Sequence, residues 1–199
     1  MIILGIDPGT AIVGYGIIKC EKNRCEVLDY GCIYTDKVDN MPKRLSEIYS
    51  EVENLIKLYS PDYVAVEELF FFKNNKTIIT VGQARGVILL AAEKNNIKIA
   101  EYTPLQVKMG ITGYGRAKKE QVQEMVKIVL GLNEIPKPDD AADALAIAVT
   151  HLHSIKNTIY TSFKNENKEK NIPSKEKEFK KNTTISNFVS LEEYKKMIQ

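Results

Sequence analysis

At 199 residues, 44% of them hydrophobic and 27% charged, the chain has the size and composition of one globular domain with a tail. No apolar run approaches the roughly 18–20 residues of a membrane helix, and collagen, coiled coil and full-length disorder are excluded. The net charge of +2 divides unevenly: ten Lys and six Glu give residues 155–199 a charge of +4, leaving about −2 on residues 1–154. The compact part is therefore not a globally basic polyanion binder, and contact with nucleic acid requires a local patch. The first seven residues, Met1-Ile2-Ile3-Leu4-Gly5-Ile6-Asp7, lack a basic n-region and end on an acid, so no signal peptide is expected. Cys20, Cys25 and Cys32 are odd in number and lack metal-ligand spacing; they are expected to be reduced thiols of a cytoplasmic protein.

Residues 2–7 predict a buried strand. Residues 11–20 and 25–35 are rich in β-branched and aromatic residues and flank the polar stretch Glu21–Arg24, which predicts a hairpin. Leu45, Ile48, Val52, Leu55 and Ile56 recur at helical spacing, with Pro42 suited to the first turn of a helix near 42–58. Tyr63–Glu67 predicts a short buried strand, 77–95 a long helix and 97–102 another strand. A short helix over 104–109, a glycine-rich loop over 112–116 and helices near 117–130 and 139–153 complete the domain. Strands and helices in this order make an α/β class with a mixed sheet. Periodicity fails after about residue 155, and 164–184 is Lys/Glu/Asn-rich and expected to be disordered. Phe188, Val189, Leu191 and Tyr194, with Ser190 and Glu193 at capping-box spacing, suggest a short amphipathic helix over 190–199.

Three acidic positions stand out. Asp7 closes the first strand before Pro8-Gly9-Thr10, at the mouth of the sheet where ligands of α/β folds bind; a turn-capping aspartate is the plainer alternative. Glu67 and Glu68 end the strand Val64-Ala65-Val66 and precede Leu69-Phe70-Phe71-Phe72, where a buried carboxylate needs a partner. Asp140 and Asp143 are three apart and share a helix face, although an aspartate at the helix start can also serve as a cap. Converging, these acids would form an oxygen-only cluster suited to Mg²⁺ or Mn²⁺. Two such ions stabilise the attacking and leaving oxygens of a phosphodiester displacement.

The segments Gly5-Ile6-Asp7-Pro8-Gly9-Thr10, Ala65-Val66-Glu67-Glu68-Leu69-Phe70, Gly82-Gln83-Ala84-Arg85-Gly86 and Asp140-Ala141-Ala142-Asp143-Ala144-Leu145-Ala146 closely resemble the RuvC family of Holliday-junction resolvases, in the right order across 1–154. The resemblance implies a ribonuclease H-like fold, a five-stranded mixed sheet with helices on both faces. It implies a homodimer that nicks two opposed strands of a four-way DNA junction, leaving 5′-phosphate and 3′-hydroxyl ends. It further implies catalytic, metal-holding roles for Asp7, Glu67, Asp140 and Asp143, two Mg²⁺ ions per site with Mn²⁺ as a substitute, and the branch-migration partners RuvA and RuvB. Glu68 and Asp139 fall off the pattern.

Residues 103–127 hold Lys108, Arg116, Lys118, Lys119 and Lys127 against Glu120 and Glu124. This local excess of +3 suits phosphate contacts, though a charged run opening a helix is more often a solvated face. Lys108 and Lys119 match lysines that the family places near the scissile phosphate. The run Phe70-Phe71-Phe72-Lys73 combines aromatics with a cation. The resemblance puts Phe70 at the junction centre, where stacking on an unpaired base is worth about 1–3 kcal/mol. In the family the helix Gly82–Ala92 lies in the dimer interface. His151 and His153 are expected to sit at the end of the last helix as dipole partners. Two rival readings are an actin/Hsp70-like ATPase, which shares Asp-x-Gly-Thr after its first strand but needs two such domains, and a junction scaffold without chemistry, in which four carboxylates would only repel DNA.

Overall fold

In the computed structural model the elements run β1 (Ile2–Asp7), β2 (Ile12–Glu21), β3 (Arg24–Tyr34), α1 (Met41–Tyr59), β4 (Tyr63–Glu67), α2 (Asn75–Lys94), β5 (Lys98–Tyr102), α3 (Pro104–Thr112), α4 (Lys119–Leu130) and α5 (Asp139–Lys170). The structure describes residues 1–22, 24–68 and 75–170, with side chains at 1–22, 24–68 and 78–156. Phe70, Lys73 and the helix expected over 190–199 lie outside the described residues. The chain divides into a compact unit, Met1–Lys156, and a second unit, Asn157–Gln199.

The five strands form one sheet in the order β3-β2-β1-β4-β5. β1 pairs antiparallel with β2 and parallel with β4, β2 with β3 is the antiparallel hairpin, and β4 with β5 is parallel. Both faces are covered, because alternate residues of the central strands feed two cores. Leu4, Ile6, Val64 and Val66 pack against α1 and α2 through Ile48, Val52, Ile56, Ala84 and Ile88. Ile3, Ile18, Ala65 and Tyr102 pack on the other face with residues of α3, α4 and α5. Helix starts follow local chemistry: Asn40 accepts the amide of Lys43 at 3.0 Å to cap α1, and Thr103 with Gln106 forms a capping box on α3.

The packing of α5 positions the site. Gly5, Gly14 and Gly16 lie on the face beneath it, where α5 presents Asp140, Ala144, Leu145 and Ala148. A Cβ on Gly5 would run into the Ala144 carbonyl and stand 2.8 Å from the Ala148 nitrogen; on Gly14 it would strike the Asp140 carbonyl; on Gly16 it would stand 2.7 Å from Leu145 Cγ. Three glycines on one sheet face thus let the helix backbone approach the sheet more closely than any other residue allows.

Three expectations are corrected. Cys20 and Cys25 are not free thiols: the hairpin register sets them directly opposite, their Cα atoms are 4.2 Å apart, and they form a disulfide, leaving Cys32 as the free cysteine. The linear spacing conceals this pairing, which only the hairpin register creates. The last helix does not stop near 153 but runs to Lys170. A helix already nucleated propagates readily through Lys, Glu and Asn, even where an isolated segment of that composition would not fold. His151 and His153 therefore do not terminate a helix; both reach across to neighbouring elements instead.

Candidate active site

Asp7 and Glu67 stand at the C-terminal ends of adjacent parallel strands, one step past the Ile6–Val66 pair. Asp7 is also in register with Gly14, against which the backbone of Asp140 sits. One turn along α5, Asp143 faces the same cleft. The four carboxylates named from the sequence are thus brought together by three elements.

Their charges act on one another across the cleft. Burial, then the charges of Glu67, Asp143 and Asp140, push the Asp7 carboxyl up to about 8. Burial and Asp143 push Glu67 up to about 7, against the opposing pull of Lys108 and Lys119. Burial likewise raises Asp143, and the Lys119 ammonium opposes it. Lys119 Nζ lies 2.9 Å from Asp143 Oδ2 and 3.7 Å from Asp139 Oδ2. Asp139 is on the exposed side, held by Lys137 at 3.2 Å.

Among the described residues no three His, Cys, Asp or Glu side chains are arranged to ligate a single ion together. The chemistry of the donor set nevertheless fits a hard divalent cation. Its donors are carboxylate oxygens, and the upward shifts of Asp7, Glu67 and Asp143 mark a cluster short of positive charge, which Lys108 and Lys119 only partly supply. Perturbation of this kind marks functional sites more often than structural ones.

A pH dependence follows. Because Asp7 and Glu67 hold protons in the folded chain that they lose in the unfolded one, stability in EDTA is expected to fall as pH rises from about 4 through about 7 and about 8. Thermal melts in EDTA at pH 5.5 and 8.5 check this. Asp7→Asn should flatten the dependence and melt several degrees above the parent at the higher pH, and a parent that is more stable at pH 8.5 would contradict the assignment.

The basic residues divide by position. Lys108, half-buried on α3, and Lys119, on α4, act on the carboxylates directly. Arg116 and Lys118 are exposed on the connection between those helices. Sequence reasoning missed the struts behind this arrangement. The Tyr102 hydroxyl and His151 Nδ1 meet at 2.7 Å in the core and tie β5 to α5. His153 Nδ1 lies 2.8 Å from the Gly110 carbonyl in the last turn of α3, a carbonyl that lacks a partner within its own helix. The glycine seat was the one support with a legible signal: Gly14 and Gly16 share a strand face, which marks a close approach.

The crossover junction endodeoxyribonuclease RuvC model matches residues 3–151. The chain belongs to the RuvC family. The RuvC of Fusobacterium nucleatum subsp. nucleatum is 51% identical over all 199 residues and the whole of both chains. That of Alkaliphilus oremlandii is 59% identical over 154 residues, 77% of this chain and 94% of its own. The tail is therefore not beyond the reach of all family likeness: the first relative matches through it. The Thermus thermophilus RuvC structure aligns with a TM-score of 0.75 at 36% identity, covering 79% of this chain and 97% of the other. The T. thermophilus RuvC in complex with Holliday junction substrate aligns at 0.72 and 34%, covering 78% and 96%. These likenesses bear out the ribonuclease H-like, five-stranded mixed sheet with helices on both faces. No helix among the described residues is long and apolar enough to cross a membrane.

Proposed function

We propose that this RuvC family member is a crossover junction endodeoxyribonuclease that resolves Holliday junctions by paired, symmetric nicks, with Asp7, Glu67, Asp140 and Asp143 as its catalytic carboxylates. The observation that carries the reading is the convergence of these half-buried acids at the sheet mouth, beside Lys108 and Lys119. In the T. thermophilus relative, the same fold is seen with Holliday junction substrate. Asp7, Glu67, Asp140 and Asp143 would hold the Mg²⁺, two ions per site, with Mn²⁺ able to replace it. When bound, such ions supply charge neutralisation at the attacking and leaving oxygens of the phosphodiester. The carboxylates would orient the attacking water, and the products would carry 5′-phosphate and 3′-hydroxyl ends. Lys108 and Lys119 would face the scissile phosphate, with Arg116 and Lys118 gripping the flanking backbone.

Two symmetric nicks require two sites related by a two-fold axis, hence a homodimer. Helix α2 supports this with a stripe of exposed Ile79, Gly86 and Leu90 along one face. The family reading adds RuvA and RuvB as branch-migration partners and the cytoplasm as the place of work. For the chain itself it implies a nuclease domain over 1–154 followed by a tail over 155–199.

One gel tests the proposal: the protein with a synthetic four-way junction or a linear duplex, in Mg²⁺, Mn²⁺ or EDTA. Paired nicks in the junction alone, dependent on metal, are expected; equal cutting of the duplex would overturn the reading. Light scattering at micromolar concentration should give the mass of a dimer. Lys108→Ala and Lys119→Ala should lower the rate and flatten the salt dependence of binding by about one counterion each. Phe70→Ala and Lys73→Ala separate stacking from phosphate contact. The first should slow cleavage more than it weakens binding, the second should weaken binding in a salt-dependent way, and identical behaviour would remove Phe70 from the junction centre.

A further inference from the structure

Between α3 and α4 the chain presents an aromatic ring that the carboxylate site does not use. Tyr114 is 57% exposed, yet its backbone is fixed. The Thr112 hydroxyl accepts the Tyr114 amide at 3.1 Å and donates its proton to the Lys108 carbonyl at 2.8 Å, anchoring the turn to α3, and the Tyr114 carbonyl accepts the Ala117 amide at 3.1 Å. Gly113, at φ 70°, turns the chain out of α3 in the left-handed region. Beside this turn α3 leaves Leu105 58% and Met109 50% exposed. Gly115 lies against both, since a Cβ there would stand 2.5 Å from Leu105 Cδ1 and 3.4 Å from Met109 Sδ. The ring is therefore carried on a short, pinned connector next to a small apolar shelf.

What surrounds the shelf limits its occupant. Lys108 lies on α3, Arg116 and Lys118 on the connector, and Lys119 opens α4. A buried apolar partner of a folded protein would gain little from the four cations carried on the same elements as this patch of three side chains. A nucleotide matches both halves: a π-face and edge for the ring and shelf, and phosphates for the cations. Double-stranded DNA keeps its bases stacked and hides those faces, so the occupant must be an unstacked base.

We propose that Tyr114, backed by Leu105 and Met109, is a stacking platform for an unpaired nucleobase of the DNA strand held by the Lys108–Lys119 rim. This inference rests on the junction-nuclease reading, and it assigns to the connector a contact distinct from the phosphate grip of its lysines.

The chain contains no tryptophan, so Tyr114→Trp places a single reporter on the platform of the full-length protein. In EDTA, which prevents cleavage, its fluorescence should be quenched by a four-way junction and by single-stranded oligo-dT, and far less by a linear duplex. Fluorescence anisotropy of labelled DNA runs in parallel. Tyr114→Ala should weaken junction binding by about tenfold without changing its salt slope, whereas Lys118→Ala should reduce the slope; Tyr114→Phe should bind as the parent does. Junction binding without quenching, or a Tyr114→Ala protein with parental affinity, would overturn the platform. A parental protein that failed to bind the junction would count against the nuclease reading instead, and the oligo-dT arm would then decide the stacking claim by itself.

Discussion

Asp7→Asn, Glu67→Gln, Asp140→Asn and Asp143→Asn should each reduce junction cleavage to the level of the parental protein in EDTA. Junction binding should persist or tighten. The physical reason is the same at each position. The four side chains form one electrostatic unit, in which Asp7 is raised by three of its neighbours at once, so neutralising any member removes charge that a divalent cation needs. Neutralisation also removes repulsion against a polyanion, so affinity for DNA moves in the opposite direction to rate. Cleavage on a denaturing gel and binding by anisotropy separate the two quantities. Near-parental cleavage by Asp7→Asn in Mg²⁺ would show the site to be wrongly assigned. A loss of binding that paralleled the loss of cleavage would show that the substitution had damaged the fold.

Gly14→Ala should have an effect almost as large without touching a titratable group. Its new methyl would strike the backbone carbonyl of Asp140, and backbone cannot rotate aside as a flexible side chain can. Helix α5 must lift or slide, carrying Asp140 and Asp143 away from Asp7 and Glu67. Overpacking of this kind costs about 1–3 kcal/mol of stability, whereas a misplacement of about 1 Å at a reacting centre costs on the order of a hundredfold in rate. The expected protein is therefore folded, modestly less stable, and severely impaired in cleavage. Circular dichroism melts and cleavage rates at saturating Mg²⁺ check both parts. Gly86→Ala is the contrasting case: nothing within the same chain lies near its would-be methyl, so any effect it has must arise at the α2 face assigned to the dimer and not from the seat of α5.

The local chemistry of the chain determined the elements and the identity of the acids. Continuous apolar runs in 2–7 and 63–67 specify strands buried on both faces, and each ends on a carboxylate at the position where α/β sheets bind ligands. Helical spacing puts Asp140 and Asp143 on one face, and these features needed no knowledge of what lay across the sheet. Distance and register belong to the tertiary structure. The hairpin register sets Cys20 against Cys25 and makes a disulfide where the linear spacing indicated free thiols. The packing of α5 puts His151 against Tyr102 and His153 against the end of α3, where the sequence suggested dipole partners at a helix end. The elevated protonation of Asp7 arises only once burial and three neighbouring charges act together, and that of Glu67 once burial and Asp143 do. A sequence specifies which groups carry charge. How strongly those charges act on one another depends on separation and on the exclusion of water, and both are set when glycines 5, 14 and 16 let α5 settle onto the sheet.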